Sequence, residues 1–354
     1  MGGKGMQRLL IGIAVSVVGI FLTTIGCALF EDEKAAKGRK LYHHYCMHCH
    51  GENGQQAEGF NWERMPDPRP RDLSENAAMS TFSDEEIFNT ISREMRDTSD
   101  QKVINDENYF AVSTMPTFKY TLSEQELWAI VGHVRSLHGG SLTFDVEGRK
   151  KQLESEFQAA QQEYDAAKQA FEAAQAKLDE ELAAKEAARE AELEAKLAAD
   201  PNYEEPDVEE EEIILPEEEI FEAASEKMEK AKAAFENFTK RPKRGQIARP
   251  DLTVSDDERV KLEEKGKHLY SAKYGCHGCH SLEGQGGLVG PALDRAGFRL
   301  NATWIYRWIM YPQAMKKHTR MPNLGFNDED ARAVTAYLNT LRAPKPDKPI
   351  PLPE

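Results

Sequence analysis

The chain lacks an excess of positive charge, and it has few cysteines for its length. Lys and Arg number 45 against 61 Asp and Glu in 354 residues, which gives a formal net charge of -16. The acidic excess belongs to one segment, because residues 147–240 hold 28 acidic and 12 basic side chains whereas the rest of the chain holds 33 of each. The flanking parts are therefore balanced in charge, which argues against a nucleic-acid-binding surface.

The few cysteines are concentrated in two strings. Four of the five occur in Cys46–His50 and Cys276–His280, which lie about 230 residues apart and both read Cys-x-x-Cys-His, the attachment motif for c-type haem. Thiols three positions apart on one helical turn can each add to a vinyl group of the same porphyrin, and the adjacent histidine then lies under the iron. The sequence predicts two covalent haem c groups, held by Cys46, Cys49, Cys276 and Cys279, with His50 and His280 as proximal iron ligands.

Two other sites can be built from the same cysteines. The two Cys-x-x-Cys pairs could together bind zinc, or each pair could form a disulfide. A zinc ribbon, however, normally has its two halves within about 20 residues of each other and does not require the trailing histidine. Haem attachment is therefore the preferred interpretation.

The N-terminus contains a long stretch without charge. Leu9–Phe30 has 22 consecutive uncharged residues and follows Lys4 and Arg8. This length can span a bilayer, and the basic residues keep the N-terminus cytoplasmic. Alternatively, Thr24–Cys27 resembles the lipobox of bacterial lipoproteins, in which the cysteine is acylated, or the stretch is a cleaved secretory signal. We expect residues 1–30 to tether the protein to the bacterial cytoplasmic membrane, with the remainder in the periplasm or on the outer face.

The surroundings of the two motifs repeat each other. Gly38–Tyr42 precedes the first motif and Gly266–Tyr270 the second. Met115-Pro116 and Met321-Pro322 follow the motifs, and after each comes an N-cap signal and an apolar-periodic run, which predicts a C-terminal amphipathic helix. The caps expected are a Ser123–Glu126 capping box in the first copy and Asn327 in the second.

This layout resembles class I cytochrome c in both copies, which are the first repeat (residues 31–140) and the second repeat (residues 254–343). The resemblance implies an all-α fold with Met115 and Met321 as distal iron ligands. A soft thioether favours reduced iron and raises its potential, while two strong axial ligands leave no position for substrate chemistry.

The resemblance also implies a proline carbonyl that accepts a hydrogen bond from the proximal histidine and so fixes its orientation. Pro291 fits this role in the second repeat. In the first repeat we select Pro70, with Pro68 as the alternative. For both repeats, a second interpretation is that these prolines only shape a loop.

Other side chains compete for the distal positions. Met65 also precedes a proline, but it follows Cys49 by only 16 residues and no helical pattern comes directly after it. The remaining competitors are Met79 and Met95 in the first repeat, and Met310, Met315 and His318 in the second. Met310 and Met315 lie in or just after a predicted helix, which favours a core role for them.

An acidic insert at residues 147–240 separates the repeats. Large apolar residues recur every seven positions from Phe157 to Leu178 and again from Phe221 to Phe235, with mostly alanine at the second seam position. Two such runs predict an antiparallel coiled-coil hairpin in which large residues on one arm face alanines on the other. Pro201–Ile220 holds ten acidic residues and no basic one, which predicts a solvated return loop.

A hairpin returns the chain near where it left, so the two haem domains can lie side by side. Its acidic surface serves solubility, or it docks a basic electron carrier or a neighbouring subunit. After the second repeat, the Pro-rich tail at residues 344–354 is expected to be an extended strap or a disordered end.

These features together predict a membrane-tethered dihaem cytochrome that transfers electrons without substrate chemistry of its own. It resembles the cytochrome subunit of a bacterial respiratory assembly, of the quinol-oxidising cytochrome bc type or a related one, and would pass electrons toward a soluble carrier or a terminal oxidase. The alternatives are a dihaem peroxidase-type oxidoreductase with one open haem site, and a redox sensor or scaffold. The expected partners are the membrane, other complex subunits and a redox protein, and no nucleic acid.

Overall fold

A computed structural model describes residues 33–59, 64–65, 67–100, 102, 115–200, 215–242 and 249–344. The expected membrane anchor at residues 1–30 and all but the first residue of the Pro-rich tail lie outside this part. Within it, no helix has both the length and the apolar character needed to cross a membrane. The chain divides into two units, one formed by residues up to Phe144 and from Arg241 onward, the other by Asp145–Lys240.

The described residues are mainly helical, with almost no strand, in agreement with the expected all-α class. The helices are α1 (Glu33–Tyr45), α2 (Met47–His50), α3 (Asn76–Met79), α4 (Asp84–Ser92), α5 (Glu124–Leu137), α6 (Val146–Ala199), α7 (Pro216–Thr239), α8 (Asp256–Ala272), α9 (Ala296–Arg299), α10 (Ala302–Met310), α11 (Pro312–Met315) and α12 (Asp328–Thr340). Two short antiparallel strands, β1 (Ser281–Leu282) and β2 (Gln285–Gly286), pair Ser281 with Gly286 and Leu282 with Gln285.

The C-terminal helix of each repeat begins at the predicted cap. Ser123 and Glu126 form a capping box at the start of α5, in which each side chain bonds the backbone of the other residue. The side chain of Asn327 accepts from the Asp330 N–H at the start of α12. Both caps satisfy N–H groups that the first turn of a helix leaves without an intrahelical partner, so both predictions are confirmed.

Each repeat packs its N-terminal helix against its C-terminal helix through a glycine. A Cβ on Gly38 of α1 would overlap the carbonyl of Ala129 in α5, and a Cβ on Gly266 of α8 would overlap the carbonyl of Ala333 in α12. Only glycine permits backbones to lie this close. This packing of the N-terminal helix against the C-terminal helix positions the site, because α1 and α8 each precede a Cys-x-x-Cys-His motif.

A buried ion pair anchors α5 in the first repeat. Arg135 Nε donates to Asp84 Oδ1 at 2.5 Å, and Arg135 also donates to the carbonyls of Met79 and Phe82. The second carboxylate oxygen of Asp84 accepts from Thr143 N at 2.7 Å and from Thr143 Oγ1 at 2.6 Å. Because its oxygens are bonded, the carboxylate can be buried at acceptable cost.

The second unit is a pair of antiparallel helices. Phe157 of α6 stacks on Phe235 of α7, and Phe171 of α6 stacks on Phe221 of α7, so the partners run in opposite directions. With 54 residues against 24, α6 is about 81 Å long and α7 about 36 Å, so α6 extends well past its partner.

Candidate functional site

The first Cys-x-x-Cys-His motif forms one tight turn after α1. Cys49 N and His50 N donate to the Cys46 carbonyl at 3.1 and 3.0 Å, which places both thiols and the histidine on the same turn. His50 Nδ1 lies 3.0 Å from the Arg71 carbonyl. A carbonyl can only accept, so Nδ1 carries the proton and Nε2 keeps its lone pair for a metal.

The second motif has the same local geometry. Cys279 N and His280 N donate to the Cys276 carbonyl at 3.1 and 2.9 Å. His280 Nδ1 lies 2.7 Å from the Pro291 carbonyl, at the position where the resemblance puts a proline. The ring of His280 is therefore held in the same tautomer as that of His50, with Nε2 available.

The acceptor in the first repeat differs from the one that the sequence predicts. The carbonyl that faces His50 belongs to Arg71, and not to Pro70 or to the alternative Pro68. Every residue has a carbonyl, so residue type does not reveal which one faces the ring. The guanidinium carbon of Arg71 lies 4.8 Å from the centroid of the Phe82 ring, which holds this segment in place.

Burial controls the protonation of the site residues. Burial lowers the pKa of His50 and of His280, and the hydrogen bond to a carbonyl opposes this shift only in part. Both rings are thus neutral at physiological pH, the form that binds a metal. Burial also raises the pKa of the Cys46 and Cys276 thiols to about 12.

The described cysteines form no disulfide with one another. These are Cys46, Cys49, Cys276 and Cys279. Among the residues that the structure describes, no group of three or more His, Cys, Asp or Glu side chains is placed to hold a metal ion. Each motif has both thiols and the histidine on one turn, which is the arrangement used for covalent attachment of haem c.

Met321 is held by its own repeat on three sides. Its Sδ accepts from Trp308 Nε1 at 2.9 Å, its carbonyl accepts from Gln313 Nε2 at 2.7 Å, and its N–H donates to Thr319 Oγ1 at 3.2 Å. Its competitor Met310 packs against the same core as Met321, whereas His318 is exposed. The assignment of Met321 as distal ligand stays a prediction.

Met115 is half-buried and begins a described stretch, with residues 103–114 before it outside the described part. Two of its competitors lie in the core of the first repeat, where Met65 is 7% and Met79 2% exposed. Met95 packs against the hydrophobic core of the second repeat. The sequence presents Met95 as a possible ligand, whereas the structure uses it between the repeats.

Buried polar atoms in the second repeat fit a porphyrin. The Tyr270 hydroxyl and Arg307 Nε are buried and have no hydrogen-bond partner among the described residues, whereas the equivalent Tyr42 hydroxyl donates to the Gly51 carbonyl at 2.8 Å. Buried donors normally have an acceptor. A haem carries two carboxylates, the kind of acceptor that both donors lack, so the residues present are compatible with haem c.

Direct hydrogen bonds join the two repeats, and sequence reasoning did not find them. Thr98 donates to the Ala272 carbonyl from its backbone N at 2.8 Å and from its Oγ1 at 2.7 Å. His268 Nε2 lies 2.7 Å from Asp97 Oδ2. These contacts join the segment after α4 to the helix that leads into the second motif.

The two motifs also lie within electrostatic range of each other. Burial raises the pKa of the Cys279 thiol to about 12, and the charge of Cys49 contributes to the same shift. Burial and, to a smaller extent, the charge of Arg320, next to Met321, lower the pKa of His48, inside the first motif, to about 4.

Comparison with known proteins identifies both repeats. The family model described as Cytochrome c matches residues 35–138 and 263–342. Over 106 residues the chain is 29% identical to cytochrome c oxidase subunit 2 of Alkalihalophilus pseudofirmus, which is 27% of this chain and 28% of that protein. The chain therefore spans under a third of the length of this relative. No solved structure matches the chain.

Proposed function

Because this chain belongs to the cytochrome c family, we propose that it is a membrane-tethered dihaem cytochrome c that transfers electrons within a respiratory complex. One haem c is bound in the first repeat through Cys46 and Cys49, and the other in the second repeat through Cys276 and Cys279. The haem domains extend over residues 31–140 and 254–343.

The observation that carries this proposal is the direct contact between two repeats that each present a complete attachment motif. Thr98, Asp97 and Met95 of the first repeat all contact the second. Electron transfer between proteins otherwise requires a diffusional encounter, whereas fixed neighbours exchange without one. Two fused domains held together in this way exchange electrons within one molecule.

The residues of each site hold the cofactor in a form suited to electron transfer. Covalently bound haem c supplies an iron that accepts and releases one electron. His50 and His280 would hold the iron through Nε2, with their rings fixed by the carbonyls of Arg71 and Pro291. Met115 and Met321 would supply the other protein ligands, which would leave neither site a position for substrate.

Membership of a respiratory assembly rests on three features. The chain is similar over 106 residues to a protein named cytochrome c oxidase subunit 2. Residues 1–30 have the length and charge placement of a membrane anchor, or of a lipoprotein signal that ends at Cys27, which puts the haem domains in the periplasm or on the outer face. The acidic α6 and α7 offer a surface for a basic electron carrier or for a neighbouring subunit.

Purification of the protein from native membranes tests the proposal. We expect two haems per chain, both low-spin with a thioether-to-iron absorption band, and co-purification with subunits of a respiratory complex. A single haem would overturn the dihaem assignment. A high-spin haem in the isolated protein would overturn the electron-transfer assignment and favour an enzyme with an open site. A version without residues 155–236 is expected to bind both haems but to lose its partners.

A further inference from the structure

The loops that carry the two predicted distal ligands contact each other across the boundary between the repeats. Thr121 lies six residues after Met115, and Asn323 lies two residues after Met321. Asn323 N donates to Thr121 Oγ1 at 2.8 Å. Beside this bond, a Cβ on Gly325 would overlap the ring of Tyr120, so the two loops are in close contact.

The bond between Asn323 and Thr121 lies two residues after Met321, just beyond the hydrogen bonds that hold Met321 within its own repeat. The Met321 N–H and carbonyl are bonded within the second repeat. Pro322 has no N–H to donate. The next backbone donor along the chain is therefore that of Asn323, and its acceptor belongs to the first repeat.

The hydrogen bond between Asn323 and Thr121 is shielded from water. Thr121 is 4% exposed, so water does not compete strongly for its hydroxyl. On the other side of Met321, Thr319 is 8% exposed and its carbonyl lies 3.4 Å from His44 Nε2 of the first repeat. The segment 319–323 is thus held from the first repeat at both ends.

We propose that Thr121 is a positioning residue for Met321, so that the first repeat holds the distal ligand of the haem in the second. The inference rests on the proposed function, in which Met321 binds iron. Loss of the Thr121 hydroxyl would leave the Asn323 N–H without its partner and loosen the loop. Met321 would then yield more readily to an added ligand.

Imidazole titration of the oxidised full-length dihaem protein tests this, because imidazole competes with methionine for the distal position. We expect Thr121→Val to raise the apparent imidazole affinity of the second haem about fivefold, the equivalent of one hydrogen bond. The thioether band that Met321→Ala removes identifies the second haem, and the band of the first haem is expected to keep its wild-type response.

Matched variants separate positioning from a general loss of structure. Thr121→Ser keeps the hydroxyl and is expected to behave like the wild type. Thr117→Val is the control, because Thr117 is fully buried in the same loop and its Oγ1 accepts from Lys119 N at 3.3 Å within the first repeat. If Thr121→Val does not fold, Thr121→Ala serves as the second test without the added methyl group.

Each outcome bears on a defined part of the proposal. Wild-type imidazole affinity in a folded Thr121→Val variant, or an equal increase in Thr117→Val, would overturn the positioning role and leave the electron-transfer function intact. If Met321→Ala removed no thioether band, the ligand assignment in the proposed function would itself be wrong.

Discussion

Replacement of Asp84 by alanine is expected to destabilise the helix on which the first haem motif depends. The Asp84 side chain is 2% exposed and that of Arg135 is 10% exposed, so the substitution leaves a guanidinium buried without its carboxylate. Such a loss costs about 3–5 kcal/mol. Arg135 keeps the carbonyls of Met79 and Phe82 as acceptors, which places the expected cost near the lower end, about 3 kcal/mol.

Hydrogen exchange measures this cost where it arises. If α5 exchanges through opening of the first repeat, about 3 kcal/mol corresponds to roughly 150-fold faster exchange in Glu124–Leu137. Asp328–Thr340 of the second repeat provides the internal control. The double variant Asp84→Ala with Arg135→Leu is expected to recover part of the loss, since it removes the unpaired charge.

The same ion pair gives a defined pH dependence. Burial by itself would raise the pKa of Asp84, but hydrogen bonds from Thr143 and Arg135 lower it below its usual value. The carboxylate therefore stabilises the fold fully above the unfolded pKa of about 3.9 and loses this effect as pH falls through the lower folded value. The difference in Tm between wild type and Asp84→Ala should shrink below about pH 4.

The exchange experiment gives the refuting result. If α5 of Asp84→Ala exchanged within threefold of the wild-type rate near neutral pH, the proposed role of the ion pair would be wrong.

Two further substitutions have matched controls. Gly38→Ala is expected to cost about 1–3 kcal/mol, because its Cβ overlaps a backbone carbonyl of the facing helix, whereas Gly132→Ala, with 3.7 Å to its nearest atom, should be tolerated. Equal Tm values for the two variants would contradict this. Trp308→Phe removes the donor to Met321 Sδ and should weaken the thioether band. Trp304 stacks on Trp308 but is not bonded to the sulfur, so Trp304→Phe should preserve the band. A band of equal strength in both variants would refute the role of the indole N–H.

The features predicted from sequence are those that short-range chemistry determines. A Cys-x-x-Cys-His string specifies one turn, and the capping signals at Ser123 and Asn327 specify where a helix begins. The heptad spacing likewise indicates which residues of α6 and α7 lie at the seam. It does not predict their pairing, because large residues are expected to face alanines whereas Phe157 stacks on Phe235. In each case the interacting groups are close in the chain or recur with a fixed period.

The features that were not predicted involve backbone groups or distant partners. The acceptor for His50 is a carbonyl, which every residue possesses, so Pro70 could not be distinguished from Arg71 by residue type. The bond from Thr98 to Ala272 joins positions 174 residues apart, and neither residue type indicates it. Residue type also does not reveal that Met95 packs against the core of the second repeat.

Electron exchange between the two haems within one molecule tests the central claim most directly. One haem can be reduced by a light pulse and the redistribution of the electron followed by the difference between the two thioether bands. Because direct contacts hold the repeats together, we expect the exchange rate to be independent of protein concentration. A rate that rises in proportion to concentration would mean that electrons pass only between molecules. It would contradict a function in which the two haems of one chain exchange electrons directly.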